Sequence, residues 1–222
     1  MIKIIDESGV ALGRLSLMPH PSTPPRAVAG VWCSYSWKSA DTWVMTFGVD
    51  VPYWALRLSD VIDFGRADEL WQTTCFELFL RRPGEETYLE YNFAPSGQWA
   101  AYGFDAYRVR GMDPQGMGPI IFSPVPGQSR QAHRIKMVRM GIDPEVAARL
   151  TSLDDSDAPR EAPTFVVMVH MEDAGIDQIG PWEIAISAVI EEADGAKSYW
   201  ALVHPSDKPD FHHPDSFVLE LP

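Results

Sequence analysis

Residues 73–82, TTCFELFLRR, and residues 86–93, ETYLEYNF, decide the fold of this chain. Both runs are rich in aromatic and branched side chains and contain no internal proline, which is typical of β-strands. The RRPGEE segment at 81–86 supplies the proline and glycine of a turn, so the two runs are predicted to pair as a hairpin. Alternation along each strand then gathers polar side chains on one face of the pair. Those side chains are Glu77, Arg81, Glu90 and Asn92.

The same period-2 pattern recurs along the chain, while apolar residues at helical spacing are scarce. A turn at 94–97 leads the second of these strands into QWAAYGFDAY, residues 98–107. Residues 181–192, PWEIAISAVIEE, alternate as a strand that is half-buried, with one face in the core, and a turn at 194–195 returns the chain into KSYWALVH. Further strands are predicted within residues 27–37, 42–49, 133–142 and 164–172.

This pattern predicts an all-β fold, an antiparallel β-sandwich of jelly-roll or immunoglobulin-like type with roughly ten or more strands and little helix. The best helix candidate is residues 144–150, PEVAARL, which is short and peripheral. Residues 151–163 form an acidic, proline-containing stretch. We interpret this stretch as a surface loop, because neither flank alone has enough strands for a sandwich. We therefore expect a single domain, residues 1–222.

Composition restricts the classes of partner. The chain has 222 residues, a net charge of -13 and no run of basic residues, which disfavours nucleic acid and anionic membrane surfaces. Asp6 and Glu7 interrupt the apolar core that a signal peptide needs, and no apolar run reaches membrane-spanning length, so we expect a soluble cytoplasmic protein. Cys33 and Cys75 are then expected to be reduced, buried thiols. The sequence leaves the oligomeric state open.

The predicted polar face offers carboxylates, an amide and a guanidinium, which suit the adjacent hydroxyls of a saccharide or other hydroxylated metabolite. Trp71, Trp99 and Tyr102 flank these strands in the sequence, and their flat rings suit stacking against a sugar. The alternative is an ordinary solvated face with an Arg81–Glu90 ion pair. The other tryptophans considered are expected mainly in the core: Trp32, Trp37, Trp43, Trp182 and Trp200.

Residues 75–80, CFELFL, and residues 88–108, YLEYNFAPSGQWAAYGFDAYR, resemble the central strands of the DOMON-like superfamily, which includes the type 9 carbohydrate-binding modules. Residues 198–221 resemble the final strands of bacterial DOMON-like proteins of unassigned ligand, so the resemblance covers about two-thirds of the chain. It implies a jelly-roll-like β-sandwich with a binding role. In type 9 modules two tryptophans clamp a sugar, and Trp71 and Glu77 match by local motif. Leu78 stands where those modules usually carry a second acid.

Residues 210–215, DFHHPD, form a rigid polar segment just before the last predicted strand. His212 and His213 point in opposite directions on an extended chain, so they cannot easily ligate one ion, and zinc would need further ligands. A ligand-rim role, a structural loop and a metal site all remain open at this point. We include Phe211, His212 and His213 among the ligand-binding candidates and expect no metal.

Two rival functions belong to different classes. The superfamily includes haem-binding domains whose iron takes a methionine and a histidine, and Met45, Met168 and His170 lie in predicted strands, although such methionines are more often core filler. A glycoside hydrolase is the second rival, with Glu77 and Glu90 opposed about 5 Å apart. No G-x-S-x-G, H-E-x-x-H, P-loop or dinucleotide-binding motif is present. We expect a non-catalytic ligand-binding protein without a cofactor, and a partly exposed Trp71 as its stacking platform.

Overall fold

The computed structural model describes residues 2–3, 14–39, 42–58, 65–116, 120–122, 145, 164–170 and 181–221. Thirteen β-strands occupy about half of this described part and helix is almost absent from it, which confirms the predicted all-β fold class. Three short 3₁₀ helices, Tyr53–Ala55, Leu70–Gln72 and Pro214–Ser216, lie in connections. The strands are β1 (Ile2–Lys3), β2 (Leu15–Pro19), β3 (Val31–Ser39), β4 (Thr42–Val49), β5 (Cys75–Arg81), β6 (Tyr88–Phe93), β7 (Trp99–Ala106), β8 (Val109–Arg110), β9 (Ile120–Phe122), β10 (Thr164–His170), β11 (Trp182–Glu191), β12 (Lys197–Ala201) and β13 (Leu219–Leu221).

The strands form two sheets that pack face to face as a sandwich. The first sheet has the order β8-β7-β6-β5-β11-β12, and β13 pairs with the start of β11. The second sheet has the order β2-β3-β4-β10-β9. Strand β2 joins the sheets, because residues 15–17 pair with β3 while Met18 and Pro19 pair with β12. Among the described strand pairs only β1 and β13 run parallel.

The predicted hairpins are present with the expected parity. Glu77 of β5 pairs with Asn92 of β6, so the two polar runs share one face of the first sheet. Gly84 has a φ of 79° in the turn between these strands, a backbone conformation that residues with a Cβ rarely adopt. Gly195 plays the same part between β11 and β12, with a φ of 84°. Turn chemistry therefore fixes the register of both hairpins.

The apolar core lies between the two sheets. Phe47 of β4 stacks on Phe76 of β5 with 4.6 Å between ring centroids. Trp182 and Trp200 are buried in the same core, as predicted. Large aromatic side chains bury much apolar surface each, so this layer is the main source of the driving force for folding.

Trp32 does not lie in the core, contrary to the prediction. It is half-buried on the outer face of β3, where the Arg14 guanidinium lies 4.0 Å from its ring centre. The ring also lies directly over Gly48 of β4, where an added Cβ atom would come within 2.1 Å of it. The side chains of Trp37 and Trp43 lie outside the described part of the chain.

Strand β11 is buried on both faces, whereas the sequence predicted burial on one face. Ile184 and Ile186 face the core, and Ser187 on the opposite face is also only 2% exposed. Alternation is a poor guide to burial here, because residues 202–217 fold back over the outer face of the first sheet. We call residues 202–217 the covering segment.

Several predictions concern residues outside the described part. These are the strand at 133–142, the acidic loop at 151–163 and most of the helix at 144–150, of which only Glu145 is described and is helical. Cys33 and Cys75 are described, and both are buried and free. None of the described helices is long and apolar enough to cross a membrane.

Gly103 of β7 contacts the chain at the edge of the first sheet so closely that a side chain would not fit. A Cβ atom there would lie 1.9 Å from the carbonyl oxygen of Met112, a backbone atom that cannot rotate away. We expect Gly103→Ala to lower the free energy of unfolding by about 1–3 kcal/mol, the usual cost of overpacking. Urea denaturation measures this change.

Gly30→Ala is the matched control for this substitution. Its Cβ atom would meet only the Asp50 carboxylate, 3.0 Å away at the end of an exposed side chain that can move. We expect a loss below about 0.5 kcal/mol. Equal losses in the two variants would show that the contact between Gly103 and Met112 is not the cause.

Candidate functional site

The predicted polar side chains lie on the outer face of the first sheet in two adjacent rows. In one row, strand pairing places Asn92, Glu77 and Ser187 side by side across β6, β5 and β11. In the next row, Tyr102 of β7 pairs with Glu90 of β6. Glu77 and Glu90 are therefore diagonal neighbours, which corrects the prediction that they directly oppose each other. The two rows form the floor of the site.

The covering segment closes one side of this floor. Two histidine rings link the covering segment to β2 and to His20, the residue that follows β2. His20 contacts the carbonyl oxygen of Ser206 at 3.0 Å, and His204 contacts the carbonyl oxygen of Met18 at 2.8 Å. The two rings also meet edge to face, with 4.8 Å between centroids. These bonds fix the position at which the segment crosses the sheet.

The floor and the covering segment line a cleft that is open to solvent. Its volume of about 480 Å³ is within the usual range of small-ligand sites. It combines acidic, basic and aromatic side chains. The lining residues are Trp71, Glu77, Glu90, Tyr102, Phe104, Arg108, Arg110, Val189, Tyr199, Pro209, Phe211 and His212.

Glu77 is a carboxyl group on the cleft floor that is only 3% exposed. The Ser187 hydroxyl donates a hydrogen bond of 3.0 Å to its Oε2 atom. Burial and the nearby carboxylate of Glu90 raise the pKa of Glu77 from 4.5 to about 8, against the opposing effects of Ser187 and Arg108. At neutral pH Glu77 is therefore mostly protonated and can donate as well as accept a hydrogen bond.

Glu90 is held in place by a short chain of hydrogen bonds. The Asn92 side-chain amide donates to its Oε1 atom at 2.7 Å, and the Cys75 thiol donates to the Asn92 carbonyl oxygen at 3.4 Å. Burial raises the pKa of Glu90 even though Asn92, Arg110 and Arg108 favour its ionised form. Burial likewise raises the pKa of the Cys75 thiol, so Cys75 stays a neutral donor.

His212 contributes a neutral ring to the cleft wall. Its Nδ1 atom lies 2.8 Å from the Tyr88 hydroxyl, which also accepts a hydrogen bond from the backbone N–H of Arg108. With Nδ1 accepting from Tyr88, the ring proton lies on Nε2, which is 3.6 Å from Oε2 of Glu90. Burial and the Arg108 charge lower the pKa of His212 to about 4, against the effect of Asp210. Within the described residues no three His, Cys, Asp or Glu side chains are grouped to hold a metal ion.

The two arginines of the cleft are each bound to an aspartate. Arg108 donates to Asp210 at 2.7 Å, and Arg110 donates to Asp113 at 2.5 Å. Arg110 also lies over the ring of Tyr102, 4.5 Å from its centroid. Asp113 also accepts a hydrogen bond from Arg66 at 2.8 Å, so the charge of Arg108 is offset more fully than the charge of Arg110.

Aromatic rings stand along the rim. Trp71 is 48% exposed, which confirms the prediction that it is partly exposed. Its neighbour Leu70 is buried against Cys75, and this contact turns the short 3₁₀ helix so that Trp71 faces the cleft. On the other side, Tyr199 and Phe211 lie with 6.1 Å between ring centroids.

The structure brings most of the predicted ligand-binding residues together. Asn92 is fully buried behind the cleft and supports Glu90. The predicted residues that line the cleft are Trp71, Glu77, Glu90, Tyr102, Phe211 and His212.

Three predicted residues lie elsewhere. Arg81 forms an ion pair with Glu183 at 2.6 Å, so the Arg81–Glu90 pair considered from the sequence does not form. Trp99 has the opposite strand parity to Tyr102 and is buried in the core, contrary to the prediction that it flanks the polar face. His213 accepts a hydrogen bond from the backbone N–H of Asp215 and caps a 3₁₀ helix.

Sequence reasoning missed half of the lining. Phe104 and Tyr199 follow from strand parity once the pairing is known, since Tyr88 pairs with Phe104 and Val189 pairs with Tyr199. Arg108 has no such signal, because it occupies a left-handed turn conformation with a φ of 57° between β7 and β8.

No protein-family model matches the chain, and no curated protein sequence matches it either. The fold is similar to the crystal structure of a "putative carbohydrate-binding protein" from Bacteroides uniformis, with a TM-score of 0.61 and 12% sequence identity. The alignment covers 98% of this chain and 95% of that chain. At this identity the likeness shows a shared fold across nearly the whole of both chains. The DOMON-like superfamily stays a resemblance in sequence.

Glu77 should make the stability of the fold depend on pH. The folded chain holds the Glu77 proton more tightly than the unfolded chain, so the free energy of unfolding should fall as pH rises from about 4.5 through about 8. The slope should reach at most about 1.4 kcal/mol per pH unit. Denaturant titrations across this range measure it. Glu77→Gln should flatten the slope, while Glu86→Gln, at an exposed position, should keep it.

His212 should act in the opposite direction. Its pKa is lowered from 6.5 to about 4, so stability should be lost as pH falls through this interval. His212→Asn, which keeps an acceptor near the Tyr88 hydroxyl, should remove this loss. A His212→Asn curve that still falls like the wild-type curve below pH 6.5 would show that other groups cause the acid transition.

Proposed function

We propose that this protein binds a small saccharide, or a similarly hydroxylated metabolite, in the cleft and releases it unchanged. The observation that carries the proposal is the pairing of a buried floor of hydrogen-bonding carboxyl groups with an aromatic rim. Glu77 and Glu90 form that floor, and Trp71 stands above it, half exposed. Adjacent hydroxyls need closely spaced acceptors and donors, whereas the C–H faces of a sugar ring need flat apolar surfaces.

The charges of the cleft also suit a ligand without negative charge. Asp210 offsets Arg108, Asp113 is shared between Arg110 and Arg66, and the carboxyl groups of the floor would repel an anion. A protonated Glu77 donates a hydrogen bond that an ionised carboxylate cannot supply. A hydroxylated ring therefore finds both donors and acceptors here.

The shared fold adds support from outside the chain. The Bacteroides uniformis protein that superposes on nearly the whole chain carries a carbohydrate-binding description. The type 9 modules, which the sequence resembles around Glu77, also bind sugars. Both likenesses support the same ligand class, and neither specifies a sugar.

Trp71→Ala should separate binding from folding. The side chain is half exposed, so its loss should cost about 1 kcal/mol of stability or less, far below the roughly 3–5 kcal/mol typical of a buried tryptophan. Saccharide arrays would identify a ligand, and calorimetry should then show an affinity loss of about ten-fold or more, since a stacking contact is removed.

Trp54→Ala is the matched control, because Trp54 is 81% exposed and does not line the cleft. It should leave affinity unchanged. If Trp71→Ala binds the array ligand as tightly as Trp54→Ala does, Trp71 is no stacking platform. Chromatography of the ligand after long incubation should recover it intact, and a hydrolysed product would instead support the hydrolase alternative.

The proposal needs no haem. Met45 is buried in the core between the sheets, away from the cleft, and the side chains of Met168 and His170 lie outside the described part. Protein reconstituted with haem should show no Soret band beyond that of free haem. A Soret band that is lost on replacing one methionine and one histidine would favour the electron-transfer alternative.

A further inference from the structure

Buried or half-buried acidic side chains in the described part generally have a cationic or backbone N–H partner. Glu183 is bound by Arg81 at 2.6 Å, Glu191 by Arg57 at 3.2 Å. Glu192 instead accepts from the backbone N–H groups of residues 26 and 27. Each of these carboxylates is compensated within the chain, as buried charges require.

Glu77 and Glu90 depart from this rule. They are 3% and 5% exposed, yet no Lys or Arg side chain of the described residues lies within ion-pair distance of either. Among the described side chains, only the Ser187 hydroxyl donates a hydrogen bond to Glu77, and it uses Oε2. Its Oε1 atom has no partner among the described residues, and the side chain lines the cleft.

We infer that the ligand of this cleft is an amino sugar, whose protonated amine lies between Glu77 and Glu90 and supplies the missing positive charge. This inference rests on the proposed saccharide-binding function and specifies its ligand class. An ammonium group brings three N–H donors, enough for the free oxygen of Glu77 and the Oε2 atom of Glu90. Its sugar ring would stack against Trp71 at the rim.

The surroundings of the acid pair favour a cation over other ligands. The chain carries a net charge of -13, which attracts cations over long range. The ring of His212 is neutral and adds no competing charge. Of the two arginines at the rim, Arg108 is bound by Asp210, and Arg110 shares Asp113 with Arg66.

Such a ligand would displace a proton from the protein. In the free protein, burial and mutual repulsion disfavour the ionisation of both carboxyl groups, whereas an ammonium group beside them favours the doubly ionised state. Binding would therefore release up to one proton, whereas a neutral sugar would release none. The titratable and charged groups of the described part that surround the pair are Cys75, Tyr88, Tyr102, Arg108, Arg110, Asp210 and His212.

Calorimetry with matched sugars tests the inference on the full chain. Glucosamine and galactosamine are titrated beside glucose, galactose and the two N-acetyl derivatives at pH 6.5, in two buffers of different ionisation enthalpy and with a chelator present. One amino sugar should bind about ten-fold or more tightly than its neutral parent and its N-acetyl derivative, the usual effect of a charge-assisted hydrogen bond. The buffer dependence of the heat should show proton release with the amino sugar alone.

Variants locate the amine. Glu77→Gln and Glu90→Gln should each remove most of the ten-fold preference for the amino sugar, while Glu86→Gln at an exposed position should keep it. Trp71→Ala should weaken the amino sugar and its neutral parent equally. The proton release of the wild-type protein needs no variant, so it tests the inference even if a Gln variant fails to fold.

The possible results distinguish a failure of the amino-sugar inference from a failure of saccharide binding itself. A neutral sugar that binds as tightly as its amino counterpart, or an amino sugar that binds without proton release, overturns the amine inference and leaves saccharide binding standing. A preference that survives in both Gln variants also overturns it. If none of these sugars binds and the array shows no saccharide ligand, both the inference and the proposed function fail.

Discussion

Burial of the first sheet on both faces is the constraint on which the rest of this structure depends. Its inner face packs on the second sheet, as in any sandwich, and its outer face lies under the covering segment. A sheet covered twice would normally carry apolar side chains throughout. Here the outer face carries Glu77, Asn92 and Glu90, so their polar atoms must find partners in a region from which water is largely excluded.

The covering segment supplies hydrogen-bond partners to the outer face of the first sheet, and the same contacts form one wall of the cleft. The Tyr88 hydroxyl links β6 to both the turn at Arg108 and the ring of His212, so three separate parts of the chain meet at one oxygen atom. Asp210 holds that turn from the other side through Arg108. These hydrogen bonds hold the covering segment and the turn at Arg108 in a fixed position relative to the strands of the cleft floor.

Strand parity could be predicted from the sequence, and it gave the most useful part of the site. It placed Glu77, Glu90 and Asn92 on one face, which the pairing confirms. Trp99 and Tyr102 were expected to flank this face because both follow it in the sequence. They lie an odd number of positions apart on β7 and so point to opposite faces, with Trp99 in the core. Arg108 was beyond reach, since its place depends on a left-handed turn and a tertiary contact that no local pattern encodes. Sequence therefore predicts what a strand presents, and tertiary packing decides what covers it.

Glu77 and Glu90, which have no cationic partner among the described residues, do not contribute to stability as an ion pair would. Val189 and Ala185 occupy the same outer face of β11 and show that apolar side chains fit this surface. Replacing Glu77 and Glu90 by apolar residues of similar size would remove a desolvation penalty, since burying carboxyl groups without a cationic partner destabilises a fold. Elsewhere on the same face the chain avoids that penalty. Glu183 of β11 forms an ion pair with Arg81, its partner on β5. A pair of carboxyl groups that has no cationic partner among the described residues, at the base of an open cleft, is thus a feature of recognition, in which the ligand brings the positive charge.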